Sequence, residues 1–460
     1  MEKSLALESV TLPYSHVALP NRIIKAAMYE HLAHILGGPP NEHHFEVYRE
    51  WNKYDWGALI TGNVQTSPTH LTLGRDMVSP SSLSEEDLLP YRTLRNSMKE
   101  RIAIVQLSHT GRQAANLIGG RFPGHPPLAP SAVRVKGKNE TAGSDFIHSI
   151  IFQNPKAMNI EDIDIVYAGF VQAAKAMHLT GFDGVQLHMA HGYLLSEFLS
   201  PATNLRTDEY SCATPENALR LLHKIVTTLR AELPHQFIVA VKFSTENTTP
   251  AEESRALDYI RTMVSWELLD FVEISGGDYT NPEFMTKTPS KSARQALFAS
   301  FSRKAKAVVD ESSASIKPLI MLTGGINSAA LCHSALSHND ADLVGIGRCA
   351  VLSPDFPNQV EQRSLDDAQP IGDAPASTDS YIFNNLLPRV NLLGAGTSMA
   401  WYGGLIRRLS QHNAKRPGTG LAAVWDMWSW WAPERPTIVR RGLAFLGLLV
   451  FVISLVLKLR

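Results

Sequence analysis

The chain has 460 residues, 44% hydrophobic and 19% charged, with 43 Lys+Arg against 44 Asp+Glu and a net charge of −1. This excludes a disordered chain, which needs low hydrophobicity and high net charge, and it leaves no global field to attract nucleic acid, so no nucleic-acid partner is expected. Cys212, Cys332 and Cys349 lie far apart and are odd in number, which gives neither a disulfide framework nor a C-x-x-C metal pair and suits a reducing compartment.

The N-terminus lacks the long apolar core and small-residue cleavage site of a secretory signal, and none is expected. Short apolar runs predict strands at 22–26, 58–62, 102–107, 184–188, 237–243, 271–275, 318–323 and 342–345. Helix-like segments lie between them, among them 45–53, 88–100, 160–179, 215–232 and 251–266. Eight strands alternating with helices make parallel βαβ units, and eight is the closure number of the α/β (β/α)8 TIM barrel. A doubly wound open sheet is the competing fold, but no strand is followed by G-x-G-x-x-G. Segments 111–154 and 281–294 read as long polar excursions over the barrel mouth. The expected organisation is a barrel over 1–360, a linker with a partly helical extension over 361–437, and a hydrophobic segment over 438–460.

That last segment holds an uncharged run, 442–457, between Arg440 and Arg441 on one side and Lys458 and Arg460 on the other. As a helix it spans about 24 Å against a hydrocarbon core of ~30 Å, and the flanking cations can snorkel to extend it. Trp425, Trp428, Trp430 and Trp431 lie just upstream, and tryptophan suits the membrane interface. The expectation is a membrane-bound protein, tail-anchored with its barrel in the cytosol. The short run favours a thin membrane such as the endoplasmic reticulum. The alternative is a buried core helix.

The stretch with most chemistry is GFDGVQLHMAHGYLLSEFLSPATNLRTDEY, residues 181–210. Its strand ends at His188, and His191 and Tyr193 follow on the loop, at the carboxyl end of a strand where barrel active sites are built. Three readings are open: a metal pair, satisfied structural histidines, or donors to an anionic oxygen with a phenol nearby as acid. A metal site needs three or four protein ligands, and no Asp or Glu stands at ligand spacing in this loop, so no metal is expected.

The pattern H-x-x-H-G-Y-L-L-x-E-F-L-S-P-x-x-N-x-R-T-D-E-Y resembles the signature of the Old Yellow Enzyme family, FMN-dependent NADH:flavin oxidoreductases and ene-reductases. Segments NRIIKAAM (21–28), GALITGN (57–63), QLSHTGRQ (106–113), TGGI (323–326) and GIGR (345–348) resemble the family's strand ends in the right order, so the likeness covers roughly residues 10–360. It implies FMN, with Ala26, Ala27, Met28 and Tyr29 passing along the flavin, Asn63 and Gln106 near its pyrimidine edge, and Lys242 at N1/O2. Gly324, Gly325, Gly347 and Arg348 would take the phosphate. Glycine-rich turns and a guanidinium are what a phosphate dianion needs, and a cation near N1 would stabilise reduced, anionic flavin.

The resemblance further implies NADPH or NADH as reductant and a small-molecule enone as substrate. His188 and His191 would hold the carbonyl oxygen, and Tyr193 would protonate the α-carbon. Tyr29 stands where many relatives carry Thr or Cys, and His31 where some place a substrate-facing tyrosine. The rivals are a flavin-binding barrel with weak turnover, a metal-dependent barrel hydrolase using His188 and His191, and a demethylase- or dienoyl-thioester-type reductase. The physiological substrate, the preferred nicotinamide and the oligomeric state are not encoded in any motif.

Overall fold

Eight parallel strands close on themselves in the computed structural model, which describes residues 4–116, 118–121, 124–135, 152–245, 249–276, 291–374, 391–413 and 415–430. They are β1 (Ile23–Lys25), β2 (Ala58–Gln65), β3 (Ala103–Ser108), β4 (Gly184–Met189), β5 (Ile238–Thr245), β6 (Phe271–Gly276), β7 (Leu319–Thr323) and β8 (Leu343–Ile346). Each pairs with its neighbours in chain order, and β1 pairs with both β8 and β2. The TIM-barrel expectation holds, with every strand within a few residues of its predicted place.

Helices follow the strands and cover the barrel. They include α1 (Glu42–Asn52), α2 (Glu85–Asn96), α3 (Ile160–Leu179), α4 (Arg220–Glu232), α5 (Pro250–Ser265), α6 (Lys291–Glu311), α7 (Ala329–Ser337), α8 (Arg348–Leu352) and α9 (Phe356–Gln362). Their starts are chemically marked. Asn159 caps α3 by accepting from Asp162 N–H at 2.8 Å, and Asp162 returns the bond to Asn159 N–H at 3.0 Å, a reciprocal capping box. Thr249 caps α5, whose first residue is Pro250, where the missing N–H costs nothing.

Strand side chains alternate between two environments. In β5, Val239, Val241 and Phe243 face the helices, while Ile238 and Ala240 join Ile24, Ile60, Ile104 and Phe271 in a separate apolar cluster inside the barrel. Leu12 and Leu19, from the small antiparallel hairpin Val10–Thr11/Ala18–Leu19, extend this inner cluster and plug the amino end. Higher in the barrel the interior turns polar, with Gln106, Gln186, His188, Lys242 and Glu273 all buried.

Asp270, wholly buried at the foot of β6, ties the plug to the wall. It accepts from Ser15 N–H (2.8 Å), Val239 N–H (2.9 Å) and Arg230 Nη2 (2.9 Å), and the Arg230 guanidinium lies 3.7 Å from the Tyr14 ring centre.

Beyond α9 the chain forms two more helices, α10 (Asn391–Ser410) and α11 (Leu421–Trp428). The two pack on each other, and α10 packs on α1 and α8. Trp430 does not stand free for a membrane interface as expected. Its ring lies between two guanidiniums, 5.3 Å from Arg75 and 5.0 Å from Arg407. Trp425 and Trp428 are exposed. Among the described residues no helix is long and apolar enough to cross a membrane. Trp431, the run 442–457, segment 281–290 and most of the 111–154 excursion lie outside the described residues.

Asp270→Ala should lower the free energy of unfolding by about 3–5 kcal/mol, because it leaves a buried guanidinium without its carboxylate. Glu46→Ala, which removes a surface pair with Arg49, should cost less than about 1 kcal/mol. Urea denaturation measures both; equal losses would mean that Asp270 is not the tie described.

Candidate active site

The mouth of the barrel is built by the carboxyl ends of its strands. His188 is the fifth residue of β4 and points inward, in register with Lys242 of β5. Its Nδ1 accepts the Ala190 N–H at 3.3 Å, which leaves the proton of the neutral ring on Nε2. Burial, with His191 and Lys242 adding to it, holds its pKa well below the usual histidine range, so it works as a neutral donor.

His191 adopts φ +58°, in the left-handed region uncommon for residues other than glycine. Three contacts hold it there. Its N–H donates to Ser244 Oγ at 2.9 Å, its carbonyl accepts from Gln113 Nε2 at 2.8 Å, and its Nε2 lies 3.2 Å from Ser275 Oγ. The Tyr193 ring is 4.7 Å from that of His188, and His191 is 5.2 Å from it. The three predicted catalytic residues are therefore brought together. Tyr193 Oη stands 3.5 Å from Thr72 Oγ1, and Thr72 N–H donates to Asp76 at 3.0 Å.

Sequence reasoning missed Glu273. It is fully buried on β6 in register with Lys242, and the Lys242 Nζ lies 3.0 Å from its Oε1. Gln186 Nε2 donates to its other oxygen at 2.8 Å. Lys242, expected as a lone cation facing a flavin, is thus a compensated one. The available signal was an ionisable residue inside each of two adjacent apolar strands.

Of the other predicted residues, Gln106 donates through Nε2 to Asn63 Oδ1 across the β2–β3 register. Its own Oε1, and Thr323 Oγ1 at the end of β7, are buried with no hydrogen-bond partner among the described residues. Gly324 and Gly325 follow Thr323 with φ +144° and +75°, a turn that glycine adopts freely. Gly347 precedes Arg348, the first residue of α8. A Cβ at Gly347 would meet only Met28, at ordinary contact distances of 3.8–3.9 Å, so packing within the chain does not itself demand glycine there.

Ala26, Ala27, Met28 and Tyr29 follow β1 directly, and the turn behind them is pinned by Glu30. That buried carboxylate accepts from Tyr48 O–H and, at 3.1 Å, from Gly62 N–H, with Lys25 Nζ 3.9 Å away. The Tyr29 hydroxyl lies 3.1 Å from His31 Nδ1, and its ring packs with α10 and α11. Among the described residues no group of three His, Cys, Asp or Glu is placed to hold a metal ion, which leaves the hydrolase reading with two histidines only.

Glu197, at the end of the short helix Leu194–Glu197, clamps the loop that carries Gln113. Its Oε1 accepts Arg112 N–H at 2.9 Å, and Gly111 (φ +62°) passes so close that a Cβ would fall 2.3 Å from that oxygen. Burial pushes its carboxyl up to about 8 despite the opposing pull of Arg112.

Residues 13–367 match the model of the NADH:flavin oxidoreductase / NADH oxidase family. The chain is 31% identical over 351 residues to the NADH-dependent flavin oxidoreductase iliE of Neonectria sp. (strain DH2), covering 74% of this chain and 45% of that relative. It is 31% identical over 369 residues to the NADH-dependent flavin oxidoreductase iccE of Talaromyces variabilis, covering 77% of this chain and 85% of that one. The chain thus spans under half of the first relative's length and most of the second's. Its fold resembles that of the old yellow enzyme homologue from Zymomonas mobilis, with a TM-score of 0.61 at 20% identity over 80% of this chain and 94% of the other.

Because its folded-state pKa is raised, Glu197 contributes stability that is complete below its unfolded value of 4.5 and is lost as pH rises towards about 8. The parent should lose about 1.4 kcal/mol per pH unit across that window from this group. Glu197→Gln, which mimics the protonated acid, should show a flatter profile in urea denaturation at pH 5, 6.5 and 8. Parallel profiles would mean that Glu197 titrates alike in both states.

Proposed function

The chain belongs to the NADH:flavin oxidoreductase / NADH oxidase family, and on that premise we propose that it is an FMN-dependent NAD(P)H oxidoreductase of the ene-reductase type, acting on α,β-unsaturated carbonyl compounds. The observation that carries this reading is the convergence of His188, His191 and Tyr193 at the barrel mouth, above a layer of buried polar groups.

The residues present fit FMN. Gln106 and Thr323 offer buried polar atoms that lack a protein partner, as a polar ring system at the mouth requires. Gly324 and Gly325 form a left-handed turn and Arg348 supplies a fixed charge at the ends of β7 and β8, where barrels commonly bind phosphate. Gly347 leaves open the approach beside Arg348. Ala26, Ala27, Met28, Asn63 and Lys242 would complete the cradle, and the Lys242–Glu273 pair would present a dipole to it rather than a net charge. FMN, when bound, would supply the redox chemistry, the transfer of a hydride from NADH or NADPH to the β-carbon of the substrate.

The chain's own groups do the rest. His188 donates its Nε2–H to the carbonyl oxygen, and its neutrality makes that donor constant across the physiological pH range. His191, fixed by Ser244, Ser275 and Gln113, is the second donor to the charge that develops there. Tyr193 gives its proton to the α-carbon and is re-protonated from solvent. Hydride and proton together convert C=C to CH–CH.

Purified protein should be yellow with acid-releasable FMN, bleached by NADPH without oxygen and re-oxidised by 2-cyclohexenone. Each histidine replaced by alanine should slow the enone step by about 10²–10³ while sparing bleaching. Tyr193→Phe should slow enones but not quinones, which take protons from water. A folded, colourless protein that takes up no FMN would sink the proposal, and histidine variants with the parent enone rate would remove the carbonyl role.

The run 442–457, uncharged between basic flanks, we assign to a membrane, with the barrel on the cytosolic side. Full-length protein should resist carbonate and need detergent for release, whereas a chain ending at 433 should be soluble. Release by carbonate alone would refute this.

A further inference from the structure

The family region ends at residue 367, and α10 and α11 lie beyond it. Yet they seat on the barrel mouth. Trp401 and Ala423 are buried in one cluster with Met427, against Tyr29, Leu73 and Leu352 of the barrel. Gly404 makes the close approach to the segment before α11 feasible, and Gly403 faces His31. A Cβ at 403 would lie 4.0 Å from His31 Cβ, and one at 404 would lie 3.2 Å from Pro417 on the segment leading into α11. The two helices are locked together, since Arg407 ion-pairs with Asp426 and also donates to its carbonyl at 3.0 Å. They are locked to the barrel through Trp430, whose carbonyl accepts from Arg75 and whose ring lies between Arg75 and Arg407.

The contact reaches the chemistry in three short steps. Trp428 presents its ring edge-on to His31 at 6.1 Å. His31 is held at φ +57°, and its Nδ1 lies 3.1 Å from the Tyr29 hydroxyl. Leu73, packed in the same cluster as Tyr29, directly follows Thr72, whose Oγ1 lies 3.5 Å from the Tyr193 hydroxyl. The extension also governs the ring itself. Burial holds the His31 pKa well below the usual range, the guanidiniums of Arg75 and Arg407 lower it further, and the Met427 backbone opposes them. Two of those groups come from α10 and α11.

We propose that α10 and α11 form one wall of the active site, and that Gly403, Met427 and Trp428 set the size of substrate admitted beside Tyr29 and His31. The proposal rests on the ene-reductase reading. An apolar wall discriminates by volume: the mouth takes a compact enone and rejects one with added bulk, because nothing on that side can move without breaking the Trp430 clamp. A pocket difference of one or a few methylenes changes selectivity by about 10–200-fold.

The test uses full-length, FMN-loaded protein with 2-cyclohexenone and the bulkier carvone. Two readings are taken: the kcat/KM ratio for the pair, and the Kd of each ligand from its perturbation of the oxidised flavin spectrum. Met427→Ala and Trp428→Ala should shift both towards carvone by about tenfold or more. Gly403→Leu, whose side chain overfills the contact with His31 where a methyl alone would fit at 4.0 Å, should shift them the other way. Lys415→Ala, an exposed side chain on the segment between α10 and α11, should match the parent. Should the alanine variants at 427 and 428 fail to fold, the Gly403 variant alone decides. If FMN binds and 2-cyclohexenone is reduced but ratio and Kd stay at parent values, the wall is refuted and the ene-reductase reading stands. If neither parent nor variants bind FMN, that reading fails and takes the wall with it.

Discussion

A lysine and a glutamate 3.0 Å apart, sealed inside the barrel between β5 and β6, divide this molecule into two regimes. Below Lys242 and Glu273 the interior is apolar and filled by branched and aromatic side chains, so it can only be core. Above them every inward side chain is polar or lies at the rim. A buried ion pair is a poor source of net stability, because desolvation offsets most of its attraction. Its value is positional: neither partner tolerates the other's absence, so register between β5 and β6 is fixed, and with it the height of His188 in β4. His188, at the barrel mouth, stands where two compensated charges put it.

Strain gathers at the same level. His31 and His191 both hold left-handed backbone, and both are ringed by contacts that over-determine them. For His191 these are serines and a glutamine from three separate loops or strands. For His31 they come from the helical pair outside the barrel. Backbone in sparsely populated regions persists only where its surroundings enforce it, and such enforcement usually marks a working site. The two faces of the mouth are thus built by different means, one by the barrel's own loops and one by an added structure.

The barrel was legible because its signal is local. Each strand is a short apolar run between turn residues, and α3 reads as one continuous helical stretch at 160–179. The cluster His188–His191–Tyr193 was legible for the same reason: six residues of chain carry it. What escaped depends on register or on distant segments. Nothing near Glu273 announces that it lies beside Lys242, since that follows only from pairing two strands. The contact of Tyr29 with His31, under the cover of α10 and α11, is likewise one that no barrel pattern foretells. Trp430 misled by composition: a ring among basic residues reads alike whether it meets lipid headgroups or the guanidiniums of Arg75 and Arg407.

The closure of the sheet also orders events in time. β1 is made first, and it pairs on one side with β2 but on the other with β8, Ile346 against Lys25. Until residue 346 has left the ribosome, one edge of β1 has no partner, and the carboxylate of Asp270 that anchors the hairpin beside it is missing for most of that interval. An unpaired apolar edge is a template for association with other chains. The nascent protein therefore carries an open seam until β8 is made. The last strand heals it, and only then do the extension helices have a finished rim on which to settle.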